Sequence, residues 1–202
     1  MPGVEPLPQT SLPVEASQLL ALVEQGMGFV PNSILTMARV PGLFEGVAAI
    51  SRAVVLGGLV RPELAQMVAH VASTAAGCRY CQAHTVHGAN RLGVDEHKLE
   101  QLWEFESSEF FDDAERAALR LALHAGTTPN AVSDEDFVAL RRHFNDDQIA
   151  AIVGVISVFG FLNRWNDTMA TALEEGPRSF GDRVLGKRGW TSGKHDSNSD
   201  SD

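Results

Sequence analysis

The sequence predicts an all-α protein of about nine helices, and three observations carry that expectation. No segment sustains the period-two alternation of a half-buried strand, and no Asn-Gly or Asp-Gly pair joins two apolar runs into a hairpin. Apolar runs instead begin after Asp, Asn or Ser and end at Gly, the residues that cap and stop helices. The longest run, 149–162, has 14 residues with two glycines and a serine inside it, short of the about 20 that a membrane-spanning helix needs. It reads as a helix buried on most sides.

Each element follows from its own punctuation. A helix over 16–25 ends at Gly26, and Asn32 or Ser33 caps a short helix stopped by Pro41. The helix over 43–56 runs to Gly57-Gly58, and Pro62 opens the next, over 63–76, because a first turn tolerates proline. A helix over 78–92 stops at Gly93. Asp95 caps 97–105, and Asp112 or Asp113 opens 114–125, which stops at Gly126. Ser133 with Asp136 resembles a capping box before 137–144, Asp being a weaker partner than Glu. Asn145 or Asp146 then caps the long buried helix, expected to run through to 173. A weak internal echo relates 63–73 to 147–157.

The chain has 202 residues, enough for one sizeable domain. Prolines at 2, 6, 8 and 13 make 1–14 an extended arm; 15–186 forms the helical domain, and 187–202 is expected to be a disordered polar tail in which Trp190 alone could pack on the body. The net charge of −10 argues against nucleic-acid and polybasic membrane partners. The N-terminus lacks a basic region followed by an apolar core, so the expected location is cytoplasmic. Two cysteines in a chain this long are not a secreted disulfide framework.

Their spacing is informative. Cys78 and Cys81, three apart at a helix start, lie on nearly one face, so their sulfurs can close a reversible disulfide. The positive helix N-terminus stabilises a thiolate, and a nearby histidine can accept its proton. Thiolate, resolving thiol and base are the parts of peroxide reduction or thiol–disulfide exchange. Cysteine is also a common core residue, which is the bland alternative. Cys78, Cys81, His84 and His87 also look like four zinc ligands. At ~100° per residue, however, His87 lies about 180° from Cys78 on one helix, and structural zinc sites draw ligand pairs from two segments. No metal and no organic cofactor are expected.

The run Gly77-Cys78-Arg79-Tyr80-Cys81, followed by His84-Thr85, resembles the alkylhydroperoxidase D-like branch of the carboxymuconolactone decarboxylase family. Segments 102–105, 115–119 and 161–167 resemble a bacterial peroxidase-related subgroup of it, and the likeness runs over roughly 15–178. The resemblance implies an all-helical homo-oligomer (dimer, trimer or hexamer) whose cysteine pair reduces a hydroperoxide. Electrons would return from a thiol or lipoyl-type donor. It implies Cys81 as the attacking thiol, Cys78 as the resolving one and His84 as base. The helix N-terminus instead favours an activated thiol near the first turn, Cys78, so the attacking thiol stays open. Two positions depart from the family pattern. The relay Glu, 12 residues before the first Cys, is here Gln66, which cannot accept a proton. The family histidine slot is Thr85, with His84 one residue earlier; His70, on one face with Gln66 and Thr74, is the other candidate base.

The remaining polar residues read as structure. His87 suits a surface position, and His124, Trp103 and Trp165 suit packing. Asn163-Arg164-x-Asn166-Asp167 suits a polar clamp between helices, and the acidic pairs suit N-caps. Two other functions stay open: a decarboxylase or lactone-processing enzyme using Arg164 or Arg52 for an anion, and a non-catalytic redox-sensing oligomer.

Overall fold

The computed structural model describes residues 3–196. It contains ten α-helices and, among the described residues, no strand: α1 (Val14–Met27), α2 (Asn32–Met37), α3 (Leu43–Val55), α4 (Pro62–Ala75), α5 (Arg79–Arg91), α6 (Glu96–Glu100), α7 (Asp113–Gly126), α8 (Asp134–Leu140), α9 (Asp146–Met169) and α10 (Glu175–Val184). Four of the caps are those the sequence marks. Asp95 accepts from His97 N at 2.8 Å, and Asp112 pairs reciprocally with Glu115. The Asp136 carboxylate accepts from Ser133 N, and Asn145 pairs with Gln148. Each such cap contributes about 1 kcal/mol.

Helix α4 is the centre, with α5, α7 and α9 packed around it. Every residue from Leu64 to Ser73 except Gln66 is buried. The two echoing segments, on α4 and α9, pack against each other. Where α7 ends, Gly126 lies so near α4 that a Cβ there would fall 2.9 Å from the Ala72 carbonyl oxygen. Helix α9 is long and apolar enough to cross a membrane by length and composition alone, but it packs on α3, α4, α5 and α7. Val153 and Phe161 on its outer side remain 39% exposed.

Several expectations need correction. Neither Asn32 nor Ser33 caps α2, which is entered from Pro31, α1 runs past Gly26 to a left-handed Gly28, and the helix expected over 137–144 is Asp134–Leu140. The segment 97–105 is not one helix: α6 ends at Glu100 and a 3-10 turn, Leu102–Glu104, follows. The long helix stops four residues short of 173, where Ala170 turns left-handed at φ 48°. Residues 187–196 are not a disordered tail, because they fold back over the body through 3-10 turns at Gly186–Arg188 and Gly193–His195. The rest of the expected tail, 197–202, lies outside the described residues. At the other end the arm is held by backbone bonds from Gly3 N to Met169 O and from Leu7 N to Leu35 O.

Candidate active site

Gly77, at φ 76°, reverses the chain between α4 and α5 and sets Cys78 as the N-cap of α5. The Cys78 sulfur takes the place an oxygen usually holds at a cap, accepting from Cys81 N at 3.5 Å. Both thiols are free, and they are 0% and 3% exposed. A hydrogen bond from the Cys81 thiol holds Cys78 below the ordinary thiol value; burial opposes it, and the Cys81 and Tyr80 backbone N–H groups assist it. Burial pushes Cys81 well up, and the neighbouring Cys78 pushes it further. The first negative charge of the pair therefore falls on Cys78.

The end of α9 supplies two more groups. Asn166 Nδ2 donates to Cys81 Sγ at 3.6 Å and is itself fixed by Thr171 Oγ1, which donates to Asn166 Oδ1 at 3.0 Å. The Asp167 charge opposes ionisation of both sulfurs, and Lys194 Nζ offsets it from 2.8 Å. The segment that reads as a polar clamp thus reaches the cysteine pair.

His84 lies on α5 one turn after Cys81 and makes no hydrogen bond to either sulfur among the described residues. Its Nε2 lies 2.6 Å from Glu174 Oε2, with both side chains 10% exposed. Tyr80 donates to Glu174 Oε1 at 2.9 Å, and Asn32 N donates to the same oxygen. Burial opposes the Glu174 charge, but His84 and the surrounding donors hold its carboxyl below the usual range. Tyr80 is pushed well up by burial and by the Glu174 charge, so it stays a neutral donor.

The other candidates lie elsewhere. His70 bridges α4 to α5 through Thr85 Oγ1 at 3.1 Å and the Gln82 carbonyl at 3.2 Å, with Thr74 Oγ1 of its own helix at 3.3 Å, and burial lowers it to about 4. Thr85 in turn donates to the Cys81 carbonyl at 2.7 Å, so His70 braces the cysteine turn without touching sulfur. Gln66 lies beside Gly88, seven residues along α5 from Cys81. His87 sits between Phe29 and Phe180, 5.8 Å from each ring, and shares Phe29 with His84. Glu174, Asn166 and the returning C-terminal segment were not marked as functional in the sequence. Glu174 lies 90 residues from His84, and no local spacing reveals such a partner.

The C-terminal return closes the site. Arg79 donates to Thr191, and Leu173 N donates to His195 O at 2.8 Å. The buried His195 ring holds Thr171 O at 2.8 Å through Nδ1. A cavity of about 250 Å³ remains beside Gly77, Arg79, Asp167 and Lys194.

With this geometry in hand, the comparisons with known proteins are specific. The sequence profile of the carboxymuconolactone decarboxylase family matches residues 41–124, which include both cysteines. An alkylhydroperoxidase AhpD core, an uncharacterized peroxidase-related protein from Ralstonia eutropha JMP134, superposes with a TM-score of 0.75 at 28% identity, over 85% of this chain and 92% of that one. The chain belongs to the carboxymuconolactone decarboxylase family. It is also similar to the debrominase Bmp8, with a TM-score of 0.84 and 35% identity over 90% of this chain and 97% of the apo enzyme. A Cys-to-Ala variant of Bmp8 in complex with 2,3,4-tribromopyrrole superposes equally well, at 0.84. The uncharacterized protein YdfG of Bacillus subtilis (strain 168) is 29% identical over 91 residues, a match spanning 45% of this chain and 60% of that protein. The all-helical fold and the family resemblance are both borne out, and the family includes enzymes.

Proposed function

We propose that this family member is a dithiol oxidoreductase whose Cys78 and Cys81 deliver two electrons to a small substrate, a hydroperoxide in the first reading. One observation carries it: a sulfur at the N-cap of α5, stabilised as thiolate by its neighbour's S–H and by helix N–H groups. The thiolate is the nucleophile. Attack is therefore assigned to Cys78 and resolution to Cys81, the reverse of what the family resemblance implies.

In this reading Cys78 sulfur attacks the distal peroxide oxygen. An S–O bond forms, the O–O bond breaks, and the leaving alkoxide takes one proton to become an alcohol. Cys81 sulfur then displaces hydroxide from the sulfenic acid; the S–S bond forms and the hydroxide leaves as water with the second proton. The sum is dithiol plus hydroperoxide to disulfide, alcohol and water. His84 is the proton carrier, and a thiol or lipoyl-type donor restores the pair by exchange. A homo-oligomer working in the cytoplasm completes the reading.

The likeness to Bmp8 across 90% of the chain favours a second substrate class, a brominated aromatic. There the ring carbon takes one proton, bromine leaves as bromide, the two thiols become a disulfide and one proton is released. The decarboxylase alternative gains no such support. Arg164 lines an outer groove of α9 with Phe161 and Trp165, which includes no residue of the cysteine segment, and Arg52 is exposed on α3.

The test is the intact mass and thiol count of the reduced protein after a slight excess of cumene hydroperoxide or 2,3,4-tribromopyrrole. Loss of two hydrogens and both thiols with release of alcohol supports the first reading, and release of bromide selects the second. Cys81→Ser should stop at a sulfenic acid trapped by dimedone, while Cys78→Ser stays unreactive. Oxidation without turnover under excess dihydrolipoamide points to a sensor. Thiols that remain free with both substrates sink the proposal.

A further inference from the structure

We infer that Glu174 is the positioning residue for the proton carrier of the dithiol: it holds His84 with Nε2 protonated and Nδ1 as the open lone pair. The inference rests on the dithiol reading above.

A carboxylate only accepts hydrogen bonds, so the 2.6 Å contact requires the proton on Nε2. A neutral imidazole so held has its acceptor at Nδ1, and an imidazolium so held is stabilised by the carboxylate. The carboxylate is itself fixed, with Tyr80 and Asn32 N on its other oxygen. Helical side chains lean toward the N-terminus. The His84 ring accordingly stacks on Tyr80, centroids 4.2 Å apart at 23°, with the edge of Phe29 at 5.3 Å. The imidazole thus lies over the turn that carries Cys81.

A buried ion pair is a weak source of stability, because desolvation consumes most of its attraction. Stability alone is therefore a poor reason to bring a carboxylate from the start of α10 to a histidine three residues after Cys81. Gln66 lies against Gly88 and brings no carboxylate to His84; Glu174 does. The titratable groups around His84 are Tyr80 and His87 on α5 and Glu174 before α10, and His195 reaches Tyr80 at 5.9 Å from the C-terminal turn. Helix α2 contributes the uncharged Asn32 and Ser33.

The experiment follows the rate of iodoacetamide alkylation of the reduced full chain from pH 5 to 9, and beside it the rate of oxidation by cumene hydroperoxide. Wild type, Glu174→Gln, Glu174→Asp, His84→Gln and the double variant Glu174→Gln/His84→Gln are compared. Glu174→Gln should slow both reactions about 10–100-fold near pH 6.5, part of the effect of a general base. It should move the alkylation midpoint upward and converge on wild type at pH 9, where thiols ionise unaided. Glu174→Asp should recover part of the rate, and the double variant should be no slower than His84→Gln. A uniform loss at every pH, an unmoved midpoint, or additive single effects would overturn the inference. If Glu174→Gln does not fold, Glu174→Asp and His84→Gln decide by the same midpoints. A wild type that alkylates normally but ignores the peroxide removes the peroxidase reading, while the alkylation series still decides the role of Glu174.

Discussion

At the residue scale, the cysteine pair divides one proton unevenly. Cys78 accepts and Cys81 donates, so removing the donor should cost the thiolate most of its advantage. A hydrogen bond to a charged group is worth roughly 1.5–3 kcal/mol, or about one to two pH units in a titration. Cys81→Ala should therefore raise the Cys78 midpoint by about that much, read from thiolate absorbance at 240 nm; an unmoved midpoint would leave the helix N–H groups as the sole cause. His70 makes a separate prediction. Its folded value of about 4 lies below the unfolded 6.5, so the unfolded chain binds the proton first as pH falls. Stability from this group is intact above pH 6.5 and is lost on the way down to about 4, some 3 kcal/mol in all. Urea midpoints at pH 7 and pH 4.5 should differ less in His70→Gln than in wild type, and equal differences would contradict this role. The cysteine pair and His84 could be singled out as candidates because they lie three residues apart along one helix. Glu174 could not be, since nothing within a few residues of it distinguishes a site carboxylate from a surface one.

At the scale of elements, the site depends on α5 being held at one height against α4. His70 and Thr85 lock the two helices, and α7 presses on the far side of α4 through Gly126. Adding a methyl group there would meet backbone at 2.9 Å, with no flexible side chain to give way. Gly126→Ala should destabilise the protein by about 1–3 kcal/mol despite its better helix propensity. Denaturant unfolding checks this, and a stabilised variant would show that α7 can shift. Most helices were legible because caps and glycines bracket an apolar face. Helix α10 was not: its buried face consists of Pro177, Phe180, Gly181 and Val184, too sparse for a clear period amid charged neighbours. The break after α6 was also hidden, because Leu99, Leu102 and Phe105 keep a helix-like spacing that the 3-10 turn satisfies as well.

At the scale of the whole molecule, the last described residues complete what the middle of the chain begins. Arg183, Lys187 and Arg188 pair with Glu96, Glu100 and Glu104 along α6 and the following turn. Such exposed pairs are screened by solvent and contribute little. Buried contacts hold the segment more firmly: Trp190 sits on Gly181, and Ser192 and His195 are buried. A polar composition concealed this, because three anchoring side chains suffice to dock ten residues. Trp190 also packs against the cluster of Cys78, Tyr80, Cys81 and Leu173, so it belongs to the cover of the thiols. Shortening it to Ala should lower the free energy of opening by about 1–2 kcal/mol, below the cost of truncating a fully buried Trp because it is only half-buried. Each 1.4 kcal/mol is a factor of about ten in an equilibrium. At a fixed pH, Trp190→Ala should therefore alkylate with iodoacetamide about 5–30-fold faster than wild type, with unchanged helical circular dichroism. Lys187→Gln, which removes only a surface pair, should stay within about twofold. An unchanged rate in Trp190→Ala would mean that reagents reach the sulfurs by a route other than the C-terminal return, and the cavity beside Arg79 and Lys194 would then be the entrance to probe.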